Sequence, residues 1–183
     1  KMDTDDAADV VAELDDHIQK KVIEIIEDEE HASDIVELLT YDKDTAGALM
    51  AKELVQVKET WTVASCVREM RRQAENVTRV HSIYVTDKDG KLKGRLSLKD
   101  LLTASAKTHI SEIYIAKVDY VTVATEDEEV ARIMRKYDLE AIPVVDENGV
   151  LVGRITIDDI VDFIKEEAEK DYQMAAGISQ DVE

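Results

Sequence analysis

The sequence predicts an α+β protein in which two β-α-β-β-α repeats follow a small all-helical unit and precede a long C-terminal helix. Three observations support this prediction. A 20-residue segment occurs twice, each copy follows a short strand and an amphipathic helix, and residues 1–49 contain no strand pattern. With 183 residues, of which 44% are hydrophobic, the chain is long enough to bury a substantial core.

The repeated segment is Ile83–Leu102, which recurs as Ile142–Val161. Aligned without gaps, the two copies are identical at eight of 20 positions, and most of the other pairs are chemically similar. Agreement at this level indicates an internal duplication. We place the first repeat at residues 50–106 and the second at residues 107–166.

Each repeat has the pattern of a strand, a helix, two more strands and a final helix. Short apolar runs predict the strands, and Gly90 or Gly149 allows a tight turn between the last two strands of a repeat. Ser97 and Thr156 are good helix N-caps, and each has an aspartate three residues later. The predicted strands are Leu54–Val57, Ile83–Val85 and Leu92–Leu96 in the first repeat, and Val121–Val123, Ala141–Val145 and Leu151–Ile155 in the second.

The segments outside the repeats are helical in pattern. In residues 1–49, apolar residues recur every three or four positions in three groups, which predicts three short helices. The last helix is predicted to run from Ile157 to about Met174, and we assign residues 167–183 to a connecting helix. The three apolar groups are Ala7, Val11 and Leu14, then Val22, Ile25 and Ile26, and finally Ile35, Leu38 and Leu39.

The chain is strongly acidic, with 42 Asp and Glu against 23 Lys and Arg and a formal net charge of −19. Residues 1–34 carry a net charge of −10 and residues 157–183 a net charge of −7, so the two ends hold nearly all of the excess. This composition argues against nucleic acid and anionic membrane surfaces as partners, because too few bases are available to neutralise phosphates. Cys66 is the single cysteine, which excludes an intrachain disulfide.

Acidic residues form a stripe on the first predicted helix and another on the last. One interpretation is that each stripe is a solvated helix face, where like charges one turn apart repel weakly. Their presence at both ends of one chain favours a second interpretation, in which a cation joins two acidic faces. The stripes are Asp5, Asp9 and Glu13 at the N-terminus, and Asp158, Asp162 and Glu166 near the C-terminus.

Short motifs relate the chain to a known family. The two repeats resemble a tandem pair of CBS domains, and the whole chain resembles the cytosolic region of an MgtE-type magnesium transporter. That family has a longer helical domain and a membrane domain after the last helix, so we expect this chain to begin inside the former and stop before the latter. The motifs are DDAAD at Asp5–Asp9, LLTY at Leu38–Tyr41, TAGALM at Thr45–Met50, LSLKDL at Leu96–Leu101 and GRITIDD at Gly153–Asp159.

The resemblance implies a regulatory protein and not an enzyme, and the sequence contains no P-loop or nucleophile elbow. It implies a cytosolic Mg²⁺ sensor, at the cytoplasmic face of the cell membrane, that gates the transmembrane pore domain of the same full-length chain. We also expect a homodimer through the CBS repeats, whose last helices carry surplus apolar residues. Because Mg²⁺ prefers oxygen ligands, the predicted ligands are Asp5, Asp6, Asp9, Glu13, Asp158, Asp162 and Glu166.

ATP is the second ligand that the resemblance implies. In nucleotide-binding CBS pairs, a hydroxyl at the position of Ser97 or Thr156 contacts phosphate, and an acid at the position of Asp100 or Asp159 contacts the ribose. Helix N-capping explains the same four residues without any ligand. The alternative function is therefore an adenine-nucleotide-binding CBS module that regulates another membrane or soluble partner.

Overall fold

An all-helical unit opens the chain, as predicted. A computed structural model describes residues 2–77 and 79–180 of the protein. Four helices precede the first strand in this described part, one more than the three that were predicted. They are α1 (Thr4–Ala12), α2 (Asp16–Ile25), α3 (Glu29–Leu39) and the short α4 (Ala46–Leu49).

The first repeat has the predicted order of strands and helices. Its sheet places β2 in the centre, parallel to β1 and antiparallel to β3. One helix crosses from β1 to β2, and a second follows β3. The elements are β1 (Val55–Lys58), α5 (Val63–Ala74), β2 (Ile83–Thr86), β3 (Leu92–Leu96) and α6 (Leu98–Thr103).

The second repeat has the same topology and ends in a longer helix. Its elements are β4 (Val121–Thr122), α7 (Asp127–Lys136), β5 (Ala141–Val145), β6 (Leu151–Thr156) and α8 (Ile157–Gln180). The last helix continues past its predicted end near Met174, and residues 181–183 of the predicted connecting helix lie outside the described residues. No helix within residues 2–77 and 79–180 is long and apolar enough to cross a membrane.

The two repeats are interlocked, because the segment that leads into each repeat pairs with the last strand of the other. Ala51, ahead of β1, exchanges two backbone hydrogen bonds of 2.8 and 2.9 Å with Arg154 of β6. Ile115, ahead of β4, does the same with Arg95 of β3, at 2.8 and 3.0 Å. The connections make the two repeats one structural unit.

The helical unit shares its hydrophobic core with the second repeat. Ala8 and Val11 of α1 and Leu38 of α3 lie in one buried cluster with Ile142 of β5 and Ile160 of α8. The first repeat has a separate cluster centred on its own sheet. Burial of apolar side chains is the main favourable contribution to folding, so this shared cluster holds α1 beside the start of α8.

Substitution of Gly94 tests the interlocked crossing. A Cβ on Gly94 would lie 2.2 Å from the Ile115 carbonyl oxygen, whereas a Cβ on Gly177 of α8 would meet nothing within 4 Å. We expect Gly94→Ala to destabilise the protein by about 3 kcal/mol, because backbone has to move. The matched control Gly177→Ala should leave the melting temperature unchanged or raise it, since alanine favours helix. Equal melting temperatures for the two variants would contradict the crossing.

Candidate functional site

An acidic cleft separates α1 from α8. It has a volume of about 580 Å³, and parts of α3, α4 and α7 complete its walls. Three lysines, Lys43, Lys165 and Lys170, also line it, so carboxylates outnumber ammonium groups by more than three to one. The carboxylates are Asp5, Asp6, Asp9, Asp44, Asp127, Asp159, Asp162, Glu166, Glu167 and Glu169.

Asp5 is the most enclosed of these carboxylates. The predicted buried face of α1 was Ala7, Val11 and Leu14, but the structure rotates the helix so that Ala8 and Asp5 lie with Val11 on the buried side. Only 8% of Asp5 is exposed, and its Oδ1 has no hydrogen-bond partner among the described residues. A buried carboxyl oxygen without a partner is costly, because burial removes its hydration without replacing it.

Asp159 faces Asp5 from the first turn of α8. Its Oδ2 accepts hydrogen bonds from the Thr156 backbone N–H at 3.0 Å and from the Thr156 hydroxyl at 3.1 Å. These bonds form the reciprocal half of a helix cap and fix the side chain in place. The Asp159 carboxylate is therefore held toward α1, where a proton on Asp5 can be donated to it.

The crowding of acids changes their protonation. Desolvation, followed by the charge of Asp159 and a hydrogen bond with it, raises the pKa of Asp5 to about 8. Desolvation and the charges of Asp6 and Glu166 raise the pKa of Asp9 to about 6. The pKa of Asp6 is also raised, by desolvation first and then by Asp159. Each shift has the sign expected of carboxylates that are partly buried and lie close to other negative charges.

The cleft is not a preformed cage for a bare metal ion. Within the described residues, no three Asp, Glu, His or Cys side chains are arranged to hold one ion directly. Mg²⁺ does not require such an arrangement, because it usually keeps several waters and is held by one or two carboxylates. A volume of about 580 Å³ leaves room for hydrated ions between the two helices. The donor set therefore fits hydrated Mg²⁺.

Five of the seven predicted metal ligands line the cleft, namely Asp5, Asp6, Asp9, Asp162 and Glu166. Glu13 lies outside the lining, at the C-terminal end of α1, and its charge still acts on Asp9. Asp158 is exposed on a different side of α8, where its charge acts on His81 of the first repeat. The structure thus separates Asp158 from the residues with which it was grouped.

Five carboxylates of the cleft were missed as metal candidates, namely Asp44, Asp127, Asp159, Glu167 and Glu169. Asp159 was grouped with the nucleotide-binding residues, although the one-residue step from Asp158 turns it by about 100° on a helix. Asp127, at the start of α7, is only 8% exposed, and its backbone N–H donates to the Asp44 carbonyl at 3.0 Å. Spacing within one helix carries no information about Asp127, because it approaches α8 only through the tertiary fold.

The side chains of Ser97, Thr156 and Asp159, three of the four predicted nucleotide-binding residues, form hydrogen bonds at the starts of helices α6 and α8. The Ser97 hydroxyl accepts from the Asp100 backbone N–H at 3.5 Å, at the start of α6. The Thr156 hydroxyl donates a hydrogen bond to the Asp159 carboxylate, and Asp159 faces the acidic cleft. The capping interpretation therefore accounts for Ser97, Thr156 and Asp159, and neither Ser97 nor Asp100 lines the acidic cleft.

A second polar cluster lies between the two repeats. His81 Nδ1 and the Tyr84 hydroxyl are buried, and neither makes a hydrogen bond of acceptable geometry within the described residues. Arg154 is 6% exposed, and its charge acts on both of them. Its Nε donates to the Glu53 carbonyl, but no carboxylate in the described ranges forms an ion pair with it. This cluster offers a buried positive charge and two free polar groups.

The raised pKa values predict a pH-dependent stability in the absence of divalent cations. The unfolded carboxyls titrate near about 4, so the stabilisation from bound protons is complete below about that pH. It is lost as the pH rises through about 6 for Asp9 and about 8 for Asp5. In chelator, the melting temperature should therefore fall between pH 5 and pH 9.

Substitution at one position tests the source of this dependence. Asp5→Asn removes the group with the highest pKa, so it should flatten the pH slope and raise the melting temperature at pH 8. Asp158→Asn removes one negative charge from α8 outside the cleft and should leave the pH slope intact. Identical pH slopes for the two variants would show that Asp5 is not responsible.

Comparisons with known proteins agree with this arrangement. The sequence matches the CBS domain family at residues 46–107 and 110–166, and the MgtE intracellular N domain at residues 1–44. It is 43% identical over 146 residues to the magnesium transporter MgtE of Thermus thermophilus, covering 80% of this chain and 32% of that protein. Against the magnesium transporter MgtE of Bacillus subtilis it is 34% identical over 182 residues, covering 100% of this chain and 40% of that protein.

Solved structures show the same similarity. The cytosolic domain of the Mg²⁺ channel MgtE in complex with ATP superposes with a TM-score of 0.81 at 40% identity, over 88% of this chain and 66% of that one. The soluble part of a magnesium transporter gives 0.83 at 37% identity, over 91% and 65%. The chain spans only about a third of the length of the curated relatives it matches. It belongs to the CBS domain family, and its N-terminal helices and tandem CBS pair are homologous to the cytosolic domain of MgtE magnesium transporters.

Proposed function

We propose that this chain senses cytosolic Mg²⁺ and regulates the magnesium channel or transporter of which it forms the cytoplasmic part. The observation that carries the proposal is the burial of Asp5 against Asp159 in a cleft lined by ten carboxylates. Closure of α1 onto α8 brings like charges together, so it needs a counter-ion. Hydrated Mg²⁺ suits this role, because it is held through one or two carboxylates and keeps several waters.

Mg²⁺ would act by shifting an equilibrium between open and closed forms of the helical unit. A ligand shifts such an equilibrium only by its differential affinity for the two forms. A change from 1:99 to 99:1 needs about 5.5 kcal/mol of differential binding. Several weakly held ions in one cleft would supply that together.

The C-terminal helix is suited to pass this state onward. Asp159, Asp162 and Glu166 of the cleft lie on α8, and the same helix continues to Gln180 beyond its contacts with the repeat. Closure of the cleft would therefore fix the direction in which α8 extends. In this proposal α8 leads to the transmembrane pore domain, at the cytoplasmic face of the cell membrane.

A second copy of the chain is the partner proposed for the apolar surface of the repeats. Leu98 and Leu102 of α6 are 57% and 72% exposed, and Val161 of α8 is 42% exposed. Corresponding positions of the two repeats thus present apolar side chains to solvent, which suits a self-complementary two-fold contact.

Neutralising cleft residues should weaken the response to Mg²⁺. We expect Asp9→Asn and Asp162→Asn to raise the Mg²⁺ concentration at the midpoint of compaction, measured by small-angle X-ray scattering. Loss of one charged contact is expected to cost about 1–2 kcal/mol, which is roughly a five- to thirtyfold change. Asp158→Asn is the matched control, because Asp158 lies on the same helix outside the cleft.

Ionic strength must be matched between samples, since salt alone screens the repulsion between the two helices. Equal scattering curves in chelator and in millimolar Mg²⁺ would overturn the sensor proposal. If Asp9→Asn, Asp162→Asn and Asp158→Asn all gave the same Mg²⁺ midpoint, the ions would have to bind outside the cleft.

Adenine-nucleotide binding between the repeats is a second candidate function. It is favoured by the free polar atoms of His81 and Tyr84 beside a buried Arg154 without an ion-pair partner in the described ranges. A guanidinium in such a position suits a phosphate. The similar Mg²⁺ channel domain was solved with ATP. Nucleotide binding and Mg²⁺ sensing use different parts of this fold and are compatible.

Removal of one hydroxyl tests the nucleotide proposal. Tyr84→Phe should leave the free protein equally stable or more stable, because it deletes a buried polar atom that has no partner. It should lower ATP affinity by about tenfold in titration calorimetry if that hydroxyl contacts the ligand. Tyr137→Phe, at an exposed tyrosine, is the control. No heat of binding to either variant or to the unmodified chain would exclude this function.

A further inference from the structure

The first turn of α1 is fastened to the segment that leads into β1. The backbone N–H of Thr4 donates to Glu53 Oε1 at 2.9 Å, and the Thr4 hydroxyl donates to Glu53 Oε2 at 2.7 Å. The same hydroxyl accepts from the Lys52 backbone N–H at 2.8 Å. Thr4 is only 1% exposed. Both oxygens of one carboxylate are thus committed to a residue 49 positions away in the sequence.

Glu53 is itself held in place from the second repeat. Its backbone carbonyl accepts from Nε of the buried Arg154, and Ala51, two residues earlier, pairs with the Arg154 backbone. Arg154 lies on β6, which leads through Thr156 into α8. A continuous chain of hydrogen bonds therefore joins the start of α1 to the strand that precedes Asp159.

The position of this contact matters because Asp5 directly follows Thr4. We infer that Glu53 is a positioning residue, a metal-independent latch that fixes α1 in the register at which Asp5 meets Asp159. The inference rests on the proposed closure of the acidic cleft. A carboxylate suits this task because the free N–H groups and the dipole of a helix N-terminus favour negative charge.

Neutralising Glu53 should shift the Mg²⁺ midpoint in the opposite direction from neutralising the surrounding acids. Neutralising an acid that merely repels the helical unit favours closure and lowers the Mg²⁺ midpoint. Neutralising Glu53 weakens its contact with Thr4, because an amide nitrogen cannot accept the hydroxyl proton and can only donate to an oxygen that already accepts from Lys52. The closed form then loses stability even though a negative charge has been removed. The direction in which the Mg²⁺ midpoint shifts therefore shows whether a carboxylate positions α1 or only repels it.

The test compares Glu53→Gln with Glu30→Gln. Glu30 is an exposed acid that lines the same crevice between the helical unit and the first repeat as Glu53. Amide hydrogen exchange of α1 is measured in chelator and across a Mg²⁺ titration, with circular dichroism to confirm folding. Glu53→Gln should speed α1 exchange in chelator about fivefold, as expected for a lost helix cap. It should raise the Mg²⁺ midpoint without changing the number of bound ions.

A double-mutant cycle with Thr4→Val completes the test. Because Thr4 and Glu53 share the contact, the two substitutions together should cost clearly less than the sum of their separate effects. Additive effects, a Glu53→Gln midpoint equal to or below that of Glu30→Gln, or loss of a bound ion would each overturn the latch. If the unmodified chain shows no Mg²⁺ response, the sensor proposal fails, and α1 exchange in chelator still decides the latch.

Discussion

The arrangement depends on one constraint: the apolar side of α1 has to pack where it also brings acids together. Ala8 and Val11 join the core of the second repeat, and Asp5 lies one turn before them on the same side of the helix. Hydrophobic burial and charge repulsion therefore act on one element in opposite directions. Core packing fixes the location of α1, and the protonation or counter-ions of the cleft decide how firmly it stays there.

This opposition explains why the cleft is broad and not a tight metal cage. A cage with ideal geometry would hold its ion in both forms of the protein and would report little about concentration. In the proposed sensor, carboxylates spread along two facing helices would instead bind cations well only while the helices are close. The lysines on the same walls reduce the repulsion between the carboxylates without removing it. In the proposed sensor, weakly held cations would be enough to offset the remaining repulsion.

Much of the fold could be predicted because the duplication shows itself directly in the sequence. Two copies with matched turns and caps, such as those at Gly90 and Gly149, establish the order of strands and helices. The acidic stripes predicted the cleft, and the predicted ligands include five of its carboxylates, but they included Asp158 and not Asp159, the next residue, which faces α1. Periodicity cannot reveal contacts between distant segments. Such contacts bury Asp5, bring Asp127 close to α8 and place Arg154 where it forms no ion pair within the described ranges.

The exchange of lead-in segments has a consequence for how such proteins change over time. Ala51 completes the second repeat, and Ile115 completes the first, so neither repeat contains all of its own edge. After the ancestral unit was duplicated, each copy came to depend on the other for a backbone partner. The heritable module is therefore the pair, and recombination that moves one repeat between relatives would carry a mismatched edge with it.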